Sequence, residues 1–181
     1  EPMVGYIEYN RPMRYLGGTQ SWASRARVAH EPVSGGPYRD ANGQVIDGTG
    51  VTLGIIDSGL YGLHPDFADN LLHNFKVVNI SGVGPSYVDI GHQDSESQVG
   101  GHGTHVTGTV AGRGQASQIS YPVPEAAPYI QGTYTGAAPG AQIVHWGNGA
   151  GLLVLSVTTA YEHMLENMDS FDPPLVAVNN S

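Results

Sequence analysis

Apolar and polar positions divide the chain into short apolar runs separated by polar stretches rich in glycine and proline. The run Val51-Thr52-Leu53-Gly54-Ile55-Ile56 lacks the alternation of a half-exposed strand, so it predicts a strand buried on both faces of a parallel sheet, with Asp57 at its carboxyl end. Sites in open α/β sheets form outside such ends. Phe75 to Ile80, Ala141 to Trp146 and Leu175 to Val178 predict three further strands. Two segments instead show helical spacing. Val106 and Val110 follow Gly101-His102-Gly103 four residues apart, which starts a helix near His102 and turns its valines inward. Val154, Val157, Tyr161, Met164, Leu165 and Met168 form the core stripe of a longer helix from Leu152 to Met168, which Asp172-Pro173-Pro174 stops. The predicted fold is α/β, a parallel sheet flanked by helices.

The rest reads as loop. Residues 17–50 carry the turn signals Ser34-Gly35-Gly36-Pro37 and Asn42-Gly43, with Trp22 as a candidate packing anchor or edge cover. Ser81 to Gly101 is predicted to be loop, Gly112-Arg113-Gly114 to end the histidine helix, and the proline-containing residues 115–132 to form an extended surface excursion. In residues 1–16, Val4, Tyr6, Ile7 and Tyr9 before Arg11-Pro12 suggest a short edge strand. The last strand leaves an open sheet edge and uncovered apolar helix faces, so the expectation is that this polypeptide needs a C-terminal half to be stable.

Composition narrows the function classes. A length of 181 residues suits one domain with a real core. No run of ~18 apolar residues is present to span a bilayer. A net charge of −9 with seven Lys and Arg argues against nucleic-acid binding, which needs basic groups to neutralise phosphates. Cys is absent, which excludes disulfides and thiolate sites. The sequence opens without Met or an apolar leader, consistent with a removed secretion signal or an internal start.

Candidate chemistry centres on Asp57 and His102. A general base needs an imidazole whose far nitrogen is held by a carboxylate, which fixes the tautomer and stabilises the imidazolium. Gly101 and Gly103 flank the imidazole with no side chains, leaving room for a substrate backbone. A helix N-terminus disfavours imidazolium and Asp57 favours it, opposing effects that poise a base near neutrality.

Asp57-Ser58-Gly59 followed by His102-Gly103-Thr104-His105-Val106 resembles the subtilisin-like serine peptidase family. His64-Pro65-Asp66-Phe67, Gly136-Ala137-Ala138-Pro139-Gly140-Ala141 and Asn179-Asn180-Ser181 are similar to further family segments in the same order, so the resemblance spans about residues 45 to 181. It implies a secreted or extracellular serine endopeptidase with Asp57 and His102 as two members of its triad. The family's nucleophile sits in a Gly-Thr-Ser motif, which this chain lacks, and its oxyanion-hole asparagine would also lie beyond Ser181. The chain is therefore similar to the N-terminal half of such a peptidase domain, residues 51–181, incomplete on its C-terminal side. Its implied partners are a peptide or protein substrate and a C-terminal half, in the same precursor or as a second chain, that carries the serine. The glycine turn Gly147-Asn148-Gly149-Ala150-Gly151 would border the substrate on one side and the strand ending in Ser181 on the other. Ser181 is read as part of the substrate wall, not as nucleophile. Gly5 to Pro12 is similar to the last strand of an inhibitory propeptide, the alternative to an edge strand.

The chemistry requires no cofactor. Asp66 and Asp69, near Asn70, are the residues to weigh for a structural calcium, although Ca²⁺ takes ~6 to 8 oxygens and no set is complete. A catalytic metal would combine His92 or Asp94 with His102 and His105, but Gly103 stands where a metallopeptidase has its glutamate, so His105 reads as a hydrogen-bonded core histidine. No metal site is assigned. The rival from another class is a noncatalytic peptide-binding or scaffold protein that keeps the fold and groove.

Overall fold

The computed structural model describes residues 37–96, 101–116, 135–149 and 154–181, together with Ser24, Ala26 and Ala29. The candidate propeptide strand in residues 1–16, Trp22, and most of the 115–132 excursion lie outside the described residues.

Five strands form one sheet: β1 (Thr52–Asp57), β2 (Leu71–Ile80), β3 (Gly84–Asp89), β4 (Gln142–Gly147) and β5 (Leu175–Asn180). Their order is β3-β2-β4-β1-β5, with β2, β4, β1 and β5 parallel and β3 antiparallel to β2. The fold is thus α/β as expected, but the sheet is mixed. β3 falls within the stretch read as loop. Of its six residues only Tyr87 is buried, so Gly84-Pro85-Ser86-Tyr87-Val88-Asp89 carries no apolar run to read. It is brought back onto β2 by a tight turn in which Gly82 adopts φ 81°, a conformation glycine supplies without Cβ strain. β2 also begins earlier than its apolar run, at Leu71, because His73 and Asn74 find polar partners there.

Helix α1 (His102–Ala111) covers one face of the sheet and α2 (Val154–Asn167) the other. Under α1, Ile55, Leu60, Phe67, Leu71, Ala111 and Ile143 form one core. Under α2, Ile56, Phe75, Val144 and Trp146 meet Ala160, Met164 and Phe171 in the other. Ile55 and Ile56 are both fully buried, as the unalternating β1 run requires, and each contributes about 1.5–3 kcal/mol relative to exposure.

Both helices dock differently from their apolar spacing. The buried line of α1 is Gly103, Thr107, Gly108 and Ala111, small groups that bring the helix close to the sheet, with Val106 and Val110 half-buried beside it. The buried line of α2 is Ser156, Ala160 and Met164. Tyr161, Leu165 and Met168, read as core, are exposed on its flank because the helix packs toward β3. β5 is likewise less buried than its sequence suggests. Among the described residues it is the sheet edge, and Val176 is exposed. Gly112 past α1 is extended, at φ −61°, so it uses none of glycine's left-handed freedom.

Candidate active site

β1 and α1 converge on one point at the carboxyl end of the sheet. Asp57 is the last residue of β1 and pairs with Gly147 of β4. Its side chain is 1% exposed, a costly place for a carboxylate unless its oxygens are bonded. They are. Oδ1 accepts from the Ser58 amide at 2.6 Å and from His102 Nδ1 at 2.8 Å. Oδ2 accepts from Ser181 Oγ at 3.3 Å.

His102 is the first residue of α1, and its side chain is 56% exposed. With Nδ1 occupied by Asp57, the imidazole presents Nε2 as the free basic atom. The hydrogen bond to Asp57 raises its pKa above the usual histidine value, the Asp57 charge adds to this, burial opposes it, and Glu96 adds a further upward pull.

The flanking glycines serve different ends, Gly101 the backbone turn into α1 and Gly103 its packing. Gly101 holds φ 81° as the residue before the helix. A Cβ on Gly103 would strike the backbone of Gly59, so its bareness lets the first turn of α1 meet the turn after β1.

Sequence reasoning missed three supporting groups. Glu96 bonds both Ser58 and Thr104, on the two sides of the pair. The single proton of the buried Tyr87 hydroxyl on β3 is shared between Asn148 Oδ1 and the Ser156 carbonyl, tying the turn after β4 to the start of α2. His145 of β4 is fully buried beside Ile55, and neither ring nitrogen has a partner among the described residues. Burial pushes its pKa down to about 4 against an upward pull from Asp57, so it stands neutral below the pair. The only hint is that Glu96 lies close in sequence to His92 and Asp94, the residues weighed as metal candidates. Nothing in spacing could place a hydroxyl on a strand that was itself illegible.

Other candidates fall in different places. Gly147 and Asn148 are buried, and the Asn148 amide donates to the Asp57 carbonyl at 2.8 Å. The Gly149 amide donates to the Ser58 carbonyl at 2.8 Å, which fixes the turn against the end of β1. Ala150 and Gly151 lie outside the described residues. Ser181 is exposed but reaches back to Asp57.

His105, expected in the core, is exposed instead, since the sheet side of α1 is taken by Gly103, Thr107 and Ala111. Asp66 is buried and accepts from the Ala116 amide at 2.6 Å, whereas Asp69 is exposed and lies 3.8 Å from Arg113. The two carboxylates are therefore committed to different partners. Among the described residues, no three His, Asp or Glu side chains converge as metal ligands, and no helix is long and apolar enough to cross a membrane.

The chain is similar to known proteins. Residues 48–171 match the model of the subtilase family. Serine protease AprX of Bacillus subtilis strain 168 is 35% identical over 123 residues, covering 66% of this chain and 22% of the relative. A cuticle-degrading serine protease of Arthrobotrys oligospora is 31% identical over 114 residues, covering 62% of this chain and 25% of the relative. A solved structure of the S41 psychrophilic protease, 21% identical, covers 68% of this chain and 34% of its own, with a TM-score of 0.47. The chain spans about a quarter of the length of the curated relatives it matches. Because the family model runs over most of the chain and takes in both β1 with Asp57 and α1 with His102, this chain belongs to the subtilase family.

Proposed function

We propose that this chain is the N-terminal part of a serine endopeptidase and supplies the aspartate and histidine of its triad. The observation that carries the reading is the 2.8 Å contact from His102 Nδ1 to a buried Asp57, with the rest of the imidazole open to solvent. In this mechanism Asp57 holds the tautomer with the proton on Nδ1. His102 Nε2 takes the proton of a serine hydroxyl as that oxygen attacks the peptide carbonyl, and the imidazolium then protonates the leaving amine. Water activated by the same histidine hydrolyses the acyl-enzyme.

The serine is placed outside these 181 residues, in the same precursor or on a second chain, since no Gly-Thr-Ser sequence occurs here. Peptide substrate pairs against the stretch Gly147, Asn148, Gly149, Ala150 and Gly151 on one side and the strand ending in Ser181 on the other. Strand addition suits this position, because backbone bonds hold any sequence while side chains select. No cofactor enters the chemistry. An extracellular setting fits a relative named for degrading cuticle.

The test is fluorophosphonate labelling of the native protein, with intact-mass measurement of every polypeptide present. Label on a serine beyond residue 181, lost in His102→Ala, is the expected result. Absence of label, with tight peptide binding, would replace the peptidase by a noncatalytic peptide-binding protein of the same fold.

A further inference from the structure

Glu96 reaches both halves of the pair with its own two oxygens. Oε1 accepts from Ser58 Oγ at 2.8 Å, and Oε2 accepts from Thr104 Oγ1 at 2.9 Å. Ser58 directly follows Asp57. Besides donating its amide to Asp57, it accepts the Gly103 amide on its hydroxyl oxygen at 3.0 Å. Thr104 lies in the first turn of α1, and its hydroxyl oxygen accepts the Tyr61 amide at 2.9 Å. A single carboxylate thus closes a circuit from the end of β1 through Ser58 and Thr104 to His102 and back to Asp57.

The backbone that carries this carboxylate is itself fixed. The Glu96 amide donates to Asp94 Oδ1 at 2.8 Å, and the preceding Ser95 amide donates to the Leu60 carbonyl at 2.9 Å. Gly59 passes so near that a Cβ there would lie 2.6 Å from Glu96 Cα. A carboxylate with both oxygens bonded on an anchored backbone constrains what it holds.

We propose that Glu96 is a positioning residue, which sets the placement of the first turn of α1 against the end of β1 and thereby the Asp57 to His102 contact. This rests on the reading of Asp57 and His102 as an acid-base pair and adds a residue that touches neither reacting group. Among the described residues, Asp57 from β1 and Glu96 from the segment before α1 act on His102, and a neutral His145 on β4 faces Asp57. Glu96 therefore acts in two separable ways. Its two hydrogen bonds set geometry, and its negative charge favours imidazolium.

The test uses the whole protein that carries this chain, with Glu96→Ala, Glu96→Gln and His102→Ala. Alanine removes the span, and we expect kcat to fall on the order of 10- to 100-fold with KM little changed, the size of a small misplacement at a reacting centre. Glutamine keeps the span, the hydroxyls rotating to suit, so it restores most of that loss but moves the acid limb of the rate profile to lower pH. The His102 imidazole, followed by NMR in histidine-labelled protein, titrates at lower pH in both Glu96 variants, a readout that needs no turnover. Normal kcat in Glu96→Ala beside a dead His102→Ala overturns the positioning role and leaves the pair intact. Equal losses in the alanine and glutamine variants, or an unmoved His102 titration in both, overturn it too. Undiminished turnover in His102→Ala removes the pair itself.

Discussion

Gly103 of α1 and Gly59 of the turn after β1 pack backbone against backbone, so closely that a methyl group on Gly103 would collide with the Gly59 carbonyl and stand 3.1 Å from Asp57 Oδ1. The element that carries the histidine is pressed directly onto the element that carries the aspartate. The bare position makes room for protein backbone, whereas the sequence alone suggests room for substrate.

Gly103→Ala therefore has a definite consequence. Neither backbone can yield without separating β1 from α1, and overpacking of this kind costs about 1–3 kcal/mol. A displacement of order 1 Å at His102 costs roughly 10²-fold in rate. Urea unfolding and the rate of fluorophosphonate labelling measure the two effects separately. Labelling at the parental rate would show that the close approach does not govern the pair.

A second expectation concerns pH. His102 acts as a base only when neutral, and its hydrogen bond to Asp57, then the Asp57 charge, place its pKa above 6.5. The acid limb of kcat/KM in the whole protein should accordingly lie above pH 6.5. In Asp57→Asn both upward effects weaken, so the limb moves down while kcat drops by roughly 10⁴-fold through loss of the correct tautomer. A limb that stays in place after this substitution would assign it to another group.

What could be read from sequence followed from how each element is buried. β1 and β4 are covered on both faces, so their apolar runs are continuous and unmistakable. β3 is half-exposed beyond Tyr87 and left no pattern. The helices were legible as helices, but their facing was not. α1 docks through glycine, threonine and alanine, which apolar spacing does not weigh, and α2 leaves Leu165 outside because it leans toward β3. In the site, Asp57 and His102 stood out because each sits in a short local motif. Glu96 did not, since its role depends on a loop folding back against Gly59.

His145 offers a test of stability. It is fully buried with a pKa near 4 in the folded chain against 6.5 when exposed, so between these values the unfolded chain binds the extra proton. Stability therefore falls as pH drops from about 6.5 toward 4, by up to the order of 3 kcal/mol. His145→Leu removes this proton and two buried nitrogens without partners among the described residues. We expect the variant to be no less stable at pH 7 and to lose the acid sensitivity in that window, as read by thermal melting across pH. A parallel decline in both proteins would place the sensitivity elsewhere.

Asp89 predicts a further loss of stability at lower pH. Burial alone would raise its pKa, but the hydrogen bonds from His73 and from the amides of Gly91 and Asn74 together outweigh it, and the His73 charge adds to them, so the net shift is downward. A carboxylate depressed in this way stabilises the fold above its unfolded value of 3.8, and the contribution disappears as pH falls through the lower folded value. The His73 and Asp89 side chains are 39% and 37% exposed, so solvent screening limits the ion pair to less than about 1 kcal/mol. The Asp89 oxygens nevertheless also fasten the Asn74 and Gly91 amides at 3.1 and 2.9 Å, which holds the end of β3 to β2. In Asp89→Asn the gap in melting temperature from the parent should be widest above pH 3.8 and close as pH falls below that value. A gap that is constant across this range would mean that the side chain acts there through shape and neutral hydrogen bonding, with no contribution from its charge.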